Sequence, residues 1–309
     1  MTDKDGKMDR IFFRTAMTVP VVQAASKCSW AAALGIGAAC LGICRGMEKI
    51  QPQGRRMRGL KWIWLILSGG SILRWIGYGW QSGSPVIPGT ILLLSAWTAA
   101  GGGNRSLAAG NVLRFWIVAL LGTVLISGLW DIRGGNLKPD WAMSGGEIVT
   151  VLLLPAAIPM KGQGKRAGWY LLAAACAVSA VTAGVLTEDY ALRHESPFYE
   201  LSRNVQLLGT AKRFESLGAV GLTLGYYVFF TRLLRGCADW GAGLGIEEER
   251  KTVWLSAAGM GAGYLLGSWK YPEILAFGAA ASCVGLPLLA YLGEKVRKRK
   301  MLRKNEKGG

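Results

Sequence analysis

Residues 112–130 of this 309-residue chain read VLRFWIVALLGTVLISGLW, an apolar run interrupted by one charge, Arg114. A helix needs about 17–25 residues to cross the hydrocarbon core of a bilayer, so this run is long enough. Runs that approach or exceed that length also lie at residues 60–80, 167–186, 217–234 and 272–292. With 51% hydrophobic and 18% charged residues, the sequence predicts an all-α, polytopic integral membrane protein.

The net charge of +17 comes largely from basic clusters that flank the apolar runs. Six Lys and Arg residues lie between positions 45 and 61, and eight lie between positions 295 and 307. Basic residues placed in this way orient spans and contact anionic headgroups. Because no nucleic-acid-binding motif accompanies them, we expect the lipid bilayer, and no nucleic acid, as the partner of this charge.

The spans and the loop charges together predict nine or ten crossings within a single transmembrane domain, residues 1–309. Basic and non-basic loops alternate, which makes the tail at 294–309 cytoplasmic and the segment 187–213 extracellular. If the short, charged segment at 11–23 crosses, the count is ten and both termini are cytoplasmic; otherwise it is nine. The clearer apolar segments lie at residues 29–44, 60–80, 86–100, 112–130, 148–159, 167–186, 214–234, 252–266 and 272–292.

The reactive residue types form no catalytic or metal-binding pattern. The six cysteines include no CxxC pair, and Cys40 and Cys44, one helical turn apart, are expected to be buried apolar residues. His194 is the only histidine, and one histidine cannot hold a metal alone. We therefore expect no enzymatic activity, no metal site and no cofactor. The glycines of GMGAG at 259–263 lie inside a span, where they predict close helix packing.

Residues 196–218, SPFYELSRNVQLLGTAKRFESLG, separate two apolar runs. Ser196 suits a helix N-cap and Pro197 the first helical position. Arg213 and Glu215 mark the entry to the next span; because they are two residues apart, each needs a partner elsewhere. An amphipathic helix along the outer surface is indicated by apolar residues at helical spacing, namely Phe198, Leu201, Val205 and Leu208.

This stretch resembles the B subunits of bacterial spore germinant receptors, the endospore germination permeases. In that family a Pro-containing segment precedes an R-[LIF]-E entry to the eighth helix. The residues that fall on this pattern, and to which the resemblance assigns a cap or gating role, are Pro197, Leu201, Arg203, Arg213 and Glu215. Further similar segments are Ile72-Leu73-Arg74 before an SPxxP turn, the small-residue stretch 99–114, NLKP at 136–139 and LLP at 153–155, so that the likeness covers about residues 29–292.

The resemblance implies the fold of the amino acid–polyamine–organocation transporters, with two inverted five-helix repeats and a ligand site near the midplane. In such folds the first and sixth helices are broken, and their freed backbone groups hold the ligand. Here both are expected to be shortened: the first is reduced within residues 1–28, and little chain is left for the sixth before residue 159. The amphipathic segment 187–213 corresponds to an extracellular cap over the site.

The candidate ligand site centres on the start of the sixth helix. Glu147 and Thr150 lie there; Glu147 suits an amino acid's ammonium group, and its alternative is an ordinary position at the outer interface. Arg74, near the outer end of its span, is a further candidate, and its alternative is to snorkel to the interface. Exposed backbone amides are expected at three successive residues, Ser144, Gly145 and Gly146.

The leading functional hypothesis is a membrane subunit of a nutrient germinant receptor in the inner membrane of a bacterial spore. The resemblance implies assembly with an A-type subunit and a C-type lipoprotein, and a small nutrient such as an amino acid as ligand. One alternative is a secondary transporter of amino acids or other small organic solutes, although no span carries a carboxylate near its centre. Another is a scaffold subunit that binds no nutrient.

Overall fold

The computed structural model describes residues 3–48, 55–79, 85–137, 141–143, 147–158, 165–205, 214–242, 244–246, 248–266, 284–285 and 288–289. This part of the chain is helical apart from turns and one isolated antiparallel bridge between Cys28 and Met143. Its helices are α1 Asp3–Ala25, α2 Trp30–Glu48, α3 Arg55–Gly79, α4 Val86–Ala100, α5 Gly103–Trp130, α6 Glu147–Leu153, α7 Lys165–Leu186, α8 Glu188–Arg193, α9 Pro197–Asn204, α10 Phe214–Ala242 and α11 Glu249–Leu266.

Three of the described helices are long and apolar enough to cross a membrane: Gly103–Trp130, Gly168–Leu186 and Glu215–Ala242. Two shorter apolar helices, Trp30–Arg45 and Val86–Ala100, accompany them. The all-α class and the membrane character predicted from the sequence agree with these findings. The count of ten spans and the inverted repeats stay predictions. Nearly all of segment 272–292, and the whole tail 294–309, lie outside the described residues.

Helix α5 shows which surface faces lipid. Large apolar side chains on its outer face are exposed, among them Phe115 at 69% and Ile126 at 61%, whereas Ile117 and Val124 on its inner face are fully buried. A continuous apolar surface of this kind is unusual for a protein surrounded by water. It is the expected outer face of a helix that packs on protein on one side and on acyl chains on the other.

The first helix is not reduced, which corrects the sequence prediction. Helix α1 is a continuous helix of 23 residues, with Pro20 inside it. The charged residues before the apolar segment belong to the same helix. One of them, Asp9, forms an ion pair with Arg232 of α10, with 3.5 Å between Oδ1 and Nη2. Phe13 and Met17 are completely buried, and α1 packs against α5, α7 and α10. The sixth segment is short, as predicted: α6 has seven residues before a 3-10 turn at Leu154–Ala156.

Polar contacts show which helix ends lie together. The start of α1 meets the end of α10 through Asp9 and Arg232, and we call this side the basic end. The end of α1 meets the start of α9 where Gln23 Nε2 donates to Ser196 Oγ at 2.9 Å, and we call this side the cap end. Helices α1 to α5 run alternately between the two ends. The predicted alternation of basic and non-basic loops, and the membrane side that each end faces, stay predictions.

Within the small-residue stretch 99–114, only Gly101 and Gly102 lie outside a helix, and they join α4 to α5. Gly102 has φ = 98°, a conformation that side chains with a Cβ rarely adopt. The predicted span 112–130 therefore begins earlier, at Gly103, and Arg105 and Arg114 both belong to α5.

The glycines of α11 allow two helices to approach closely, as the sequence predicted. A Cβ placed on Gly70 of α3 would lie 3.2 Å from both the Cα of Gly263 and the carbonyl oxygen of Met260. The two backbones therefore touch with no side chain between them. Such contacts give van der Waals attraction that lipid cannot supply, which stabilises helix pairs in a membrane.

The buried position of α1 can be tested at Gly110 of α5. A methyl group there would overlap the buried Phe12 ring of α1, whereas Gly122 of the same helix has open space around it. Overpacking of this kind costs typically 1–3 kcal/mol. We expect Gly110→Ala to lower the Tm of the detergent-solubilised chain, measured by size-exclusion chromatography after heating.

Gly122→Ala is the matched control, because it makes the same change of helix propensity in the same helix. Its Tm should be unchanged or slightly raised. Equal Tm values for the two variants would contradict the packing of α1 against α5.

Candidate functional site

The residues predicted for the ligand site from the sequence are only partly described. Ser144, Gly145 and Gly146 lie outside the described residues, and Glu147 is the first residue of α6. Thr150 is buried in α6, which packs on α1 and α2. Arg74 is half-buried in α3, which packs mainly on α4, α10 and α11. The structure thus places Arg74 and Thr150 on helices with different neighbours.

The predicted cap takes the form of two short helices, α8 and α9. Pro197 occupies the first turn of α9, as predicted, but the helix ends at Asn204, after which Val205 is extended and still buried. Leu208 and Arg213 lie outside the described residues. One face of α9 is buried against the bundle through Phe198 and Leu201, which confirms its amphipathic character.

Ser196 fastens the cap to α1 and does not cap its own helix with its side chain, which corrects the predicted role. It stands at the N-cap position of α9 without a side-chain capping bond. The Ser196 hydroxyl and the Gln23 amide instead exchange hydrogen bonds of 2.9 and 3.2 Å. Gln23 Nε2 also donates to the Glu195 carbonyl at 3.2 Å. Both side chains are buried away from water, so the polar groups of each rely on the other for their hydrogen bonds.

Glu215 finds its partner in Tyr199, a residue that the sequence reasoning missed. The Tyr199 hydroxyl donates to Glu215 Oε1 at 2.5 Å and so links α9 to the start of α10. Burial, followed by the hydrogen bond to the Glu215 carboxylate and its charge, raises the pKa of Tyr199 to about 12. The sequence did contain a signal for this contact, because Tyr199 and Glu215 flank the same interfacial segment and can form a hydrogen bond with each other.

Arg203 and Glu200 form an ion pair within α9, at 3.2 Å. The Glu200 side chain is buried, with only 7% of the residue exposed. The charge of this carboxylate, and its hydrogen bond, raise the pKa of Arg203. The Glu200 carbonyl also accepts a hydrogen bond from Asn204 Nδ2 at 2.8 Å, which closes the last turn of the helix.

A polar cavity of about 700 Å³ lies beside these helices, where the ends of α5, α7 and α9 meet α8. This volume falls in the range of roughly 300–1,000 Å³ that small-molecule sites occupy. The side chains that give the cavity its chemical character are Asp131, Ile132, Arg133, Leu186, Tyr190 and Asn204.

The loop that carries Asp131 and Arg133 is held firmly against α7. The Gly184 carbonyl accepts hydrogen bonds from the Arg133 amide at 3.1 Å and from Asn136 Nδ2 at 3.0 Å. Ile132 packs on Gly184 so closely that a Cβ there would lie 3.0 Å from the Ile132 side chain. The two charged residues are therefore presented from a fixed backbone.

The cavity offers both charges of a zwitterion a partner. The Asp131 carboxylate accepts hydrogen bonds from an ammonium group, and the Arg133 guanidinium donates to a carboxylate. Asn204 supplies an amide, and the Tyr190 ring stacks on His194 with 4.0 Å between ring centroids. The sequence analysis assigned no role to Asp131 or Arg133. The alternation of Asp131 and Arg133 directly after the span that ends at Trp130 was the available signal.

No protein-family model matches the chain, and no curated protein matches it. The resemblance to germinant-receptor subunits therefore rests on the sequence segments themselves.

The fastening of the cap to α1 can be tested by replacing Gln23 with the apolar, similarly shaped methionine. Gln23→Met leaves the buried Ser196 hydroxyl without its partner, which costs about 1–3 kcal/mol. We expect faster backbone hydrogen exchange in residues 196–205, measured by mass spectrometry. Thr15→Val is the control, because the buried Thr15 hydroxyl bonds only to Ile11 of its own helix. Unchanged exchange in Gln23→Met would contradict the link.

The raised pKa of Tyr199 predicts a pH dependence of stability. Below pH 10 the phenol is protonated in the folded and the unfolded chain, and the bond to Glu215 contributes fully. As the pH rises toward 12, only the folded state keeps the proton, so stability falls. The Tm of the wild type should therefore fall more steeply between pH 10 and 12 than that of Tyr199→Phe.

Glu215→Gln provides a second check on this prediction. Removal of the carboxylate charge lowers the pKa of Tyr199 in the folded state toward the unfolded value, so the fall in Tm between pH 10 and 12 should be smaller than in the wild type. Parallel curves for all three proteins would show that the link is absent.

Proposed function

We propose that this chain is the nutrient-sensing membrane subunit of a germinant receptor in a spore-forming bacterium, and that the cap-end cavity binds a free amino acid or a similar small zwitterion. The observation that carries the proposal is the polar cavity with Asp131 and Arg133 on one fixed loop. Helix α9, which belongs to the segment that resembles the cap of the receptor B subunits, contributes Asn204 to this cavity.

The charges of the cavity favour a zwitterion over a simple cation or anion. Asp131 and Arg133 are both exposed on the same loop, so that neither charge dominates the cavity. A ligand with a positive and a negative group can contact both side chains, whereas a ligand with one charge is attracted by only one of them. An α-amino acid carries both charges in one small molecule, so it can contact both residues that line the cavity.

The contacts of the cap provide a route from ligand to bundle. Asn204 lines the cavity and also closes the last turn of α9 by donating to the Glu200 carbonyl. A ligand that attracts this amide loosens the turn, and α9 is fastened to α1 by Ser196 and to α10 by Tyr199. Occupancy of the cavity thus acts on two helices that run the length of the bundle.

The proposed setting is the inner membrane of the spore, in a complex with an A-type subunit and a C-type lipoprotein. The sequence resemblance in residues 29–292 supports this setting. Sensing requires binding and a change of shape, and it requires no net movement of the ligand across the membrane. Uptake and binding are therefore separate outcomes of the experiment below.

The proposal predicts that free amino acids bind the full chain in lipid nanodiscs and that both charged residues contribute. A charge-assisted hydrogen bond contributes about 1.5–3 kcal/mol, so Asp131→Asn and Arg133→Gln should each weaken binding by roughly tenfold or more. Isothermal titration calorimetry with a panel of amino acids measures this. Arg193→Gln is the control, because Arg193 is an exposed cation of α8 outside the lining.

Three outcomes separate the hypotheses. Binding without uptake into proteoliposomes supports the sensor, whereas uptake of the bound amino acid overturns it in favour of a transporter. No binding of any amino acid by the wild type overturns the ligand-binding role. In spores, loss of the response to one nutrient should be restored by the wild-type chain and not by Asp131→Asn; Glu147→Ala tests the site predicted from the sequence in the same assay.

A further inference from the structure

A second cavity lies at the basic end, on the opposite side of the molecule from the cap. It has a volume of about 660 Å³ and lies between the end of α4, the start of α5 and the start of α11. Its lining combines cations with large apolar side chains, chiefly Trp97, Arg105, Arg250, Lys251, Trp254 and Leu255. It shares no residue with the cap-end cavity and does not depend on the proposed function.

Two cations of this cavity have no acidic partner among the residues that the structure describes. Glu248 and Glu249 are already engaged, since Glu248 accepts from Lys251 and Glu249 accepts from Arg235, both at 2.8 Å. Within the described part of the chain, neither Arg105 nor Arg250 forms an ion pair. Two guanidinium groups are therefore available to an anion.

The apolar part of the cavity continues onto the outer surface of the bundle. Trp97, Trp254 and Leu255 are 58%, 43% and 54% exposed, and Leu94, one helical turn before Trp97, is 51% exposed. The Arg105 guanidinium lies 3.6 Å above the Trp97 ring, so its charge is held at the edge of this apolar surface. Tryptophan and arginine side by side are typical of the level of lipid headgroups.

We propose that this cavity binds an anionic phospholipid of the leaflet at the basic end. The phosphate lies against Arg105 and Arg250, and the acyl chains follow the exposed apolar side chains of α4 and α11. A free phosphate ion matches the two cations but leaves the large apolar lining facing water. A lipid satisfies both parts of the cavity, and a zwitterionic headgroup would bring its own cation into a positive site.

The site would join the α4–α5 turn to the start of α11. Arg105 follows the two-residue turn at Gly101–Gly102 by three positions, and Arg250 lies in the first turn of α11. One phosphate that contacts both guanidinium groups holds these two segments together. An anionic lipid should therefore stabilise the bundle as well as bind to it.

The test uses native mass spectrometry of the full chain in detergent, titrated with phosphatidylglycerol or with phosphatidylethanolamine. The wild type should retain phosphatidylglycerol in preference. In the double variant Arg105→Gln/Arg250→Gln, the apparent Kd for phosphatidylglycerol should rise about tenfold or more, because two charge-assisted contacts are lost. The matched control, Arg114→Gln/Arg193→Gln, has the same net charge and replaces two exposed arginines outside the cavity.

The competing outcomes are distinct. If the wild type retains phosphatidylglycerol and phosphatidylethanolamine equally, the proposal is overturned by that measurement alone. Displacement of phosphatidylglycerol by inorganic phosphate at similar concentration would assign the cavity to a soluble anion and overturn it as well. A rise in Kd of the same size in the control variant would show a general charge effect and no specific site.

Discussion

A helix surrounded by protein on every side must satisfy its polar groups within the protein, and this constraint on α1 organises the rest of the bundle. At the basic end, Asp9 of α1 pairs with Arg232 of α10. At the cap end, the side-chain amide of Gln23 of α1 is hydrogen-bonded to Ser196. Between these two contacts α1 presents apolar side chains to α5, α7 and α10. The cap is therefore attached to the centre of the molecule and not only to its surface.

The helices that the sequence predicted best are those whose apolar run ends at a turn residue. Helix α4 matches the predicted segment 86–100 because Pro85 and Gly101 mark its two ends. Helix α1 was predicted to be too short because charged residues in a sequence are usually exposed to solvent. Here Asp9 is paired with Arg232, a cation more than two hundred positions away in sequence. A partner of this kind cannot be found from local pattern.

The short helix beside the cavity was predicted from the sequence, whereas none of the residues that line the cavity was predicted as a ligand-binding residue. The amphipathic pattern around Phe198 and Leu201 correctly placed a short surface helix, because helical periodicity is a local property. Asp131 and Arg133 were missed, since their importance comes from the approach of α7 and α9 to the loop. Ser196 was assigned the capping role that its type favours, whereas the approach of α1 gave its hydroxyl a different partner.

The position of α1 also affects the order in which the protein can be assembled during synthesis. Helix α1 leaves the ribosome long before α10, yet α10 supplies the Arg232 that matches Asp9 and part of the apolar surface that covers α1. A segment with three acids and three bases among its first eight helical residues, Asp3–Arg10, is a weak candidate for early, independent insertion. The native contact between Asp9 and Arg232 forms only after α10 has been synthesised, so the packing around α1 is completed late.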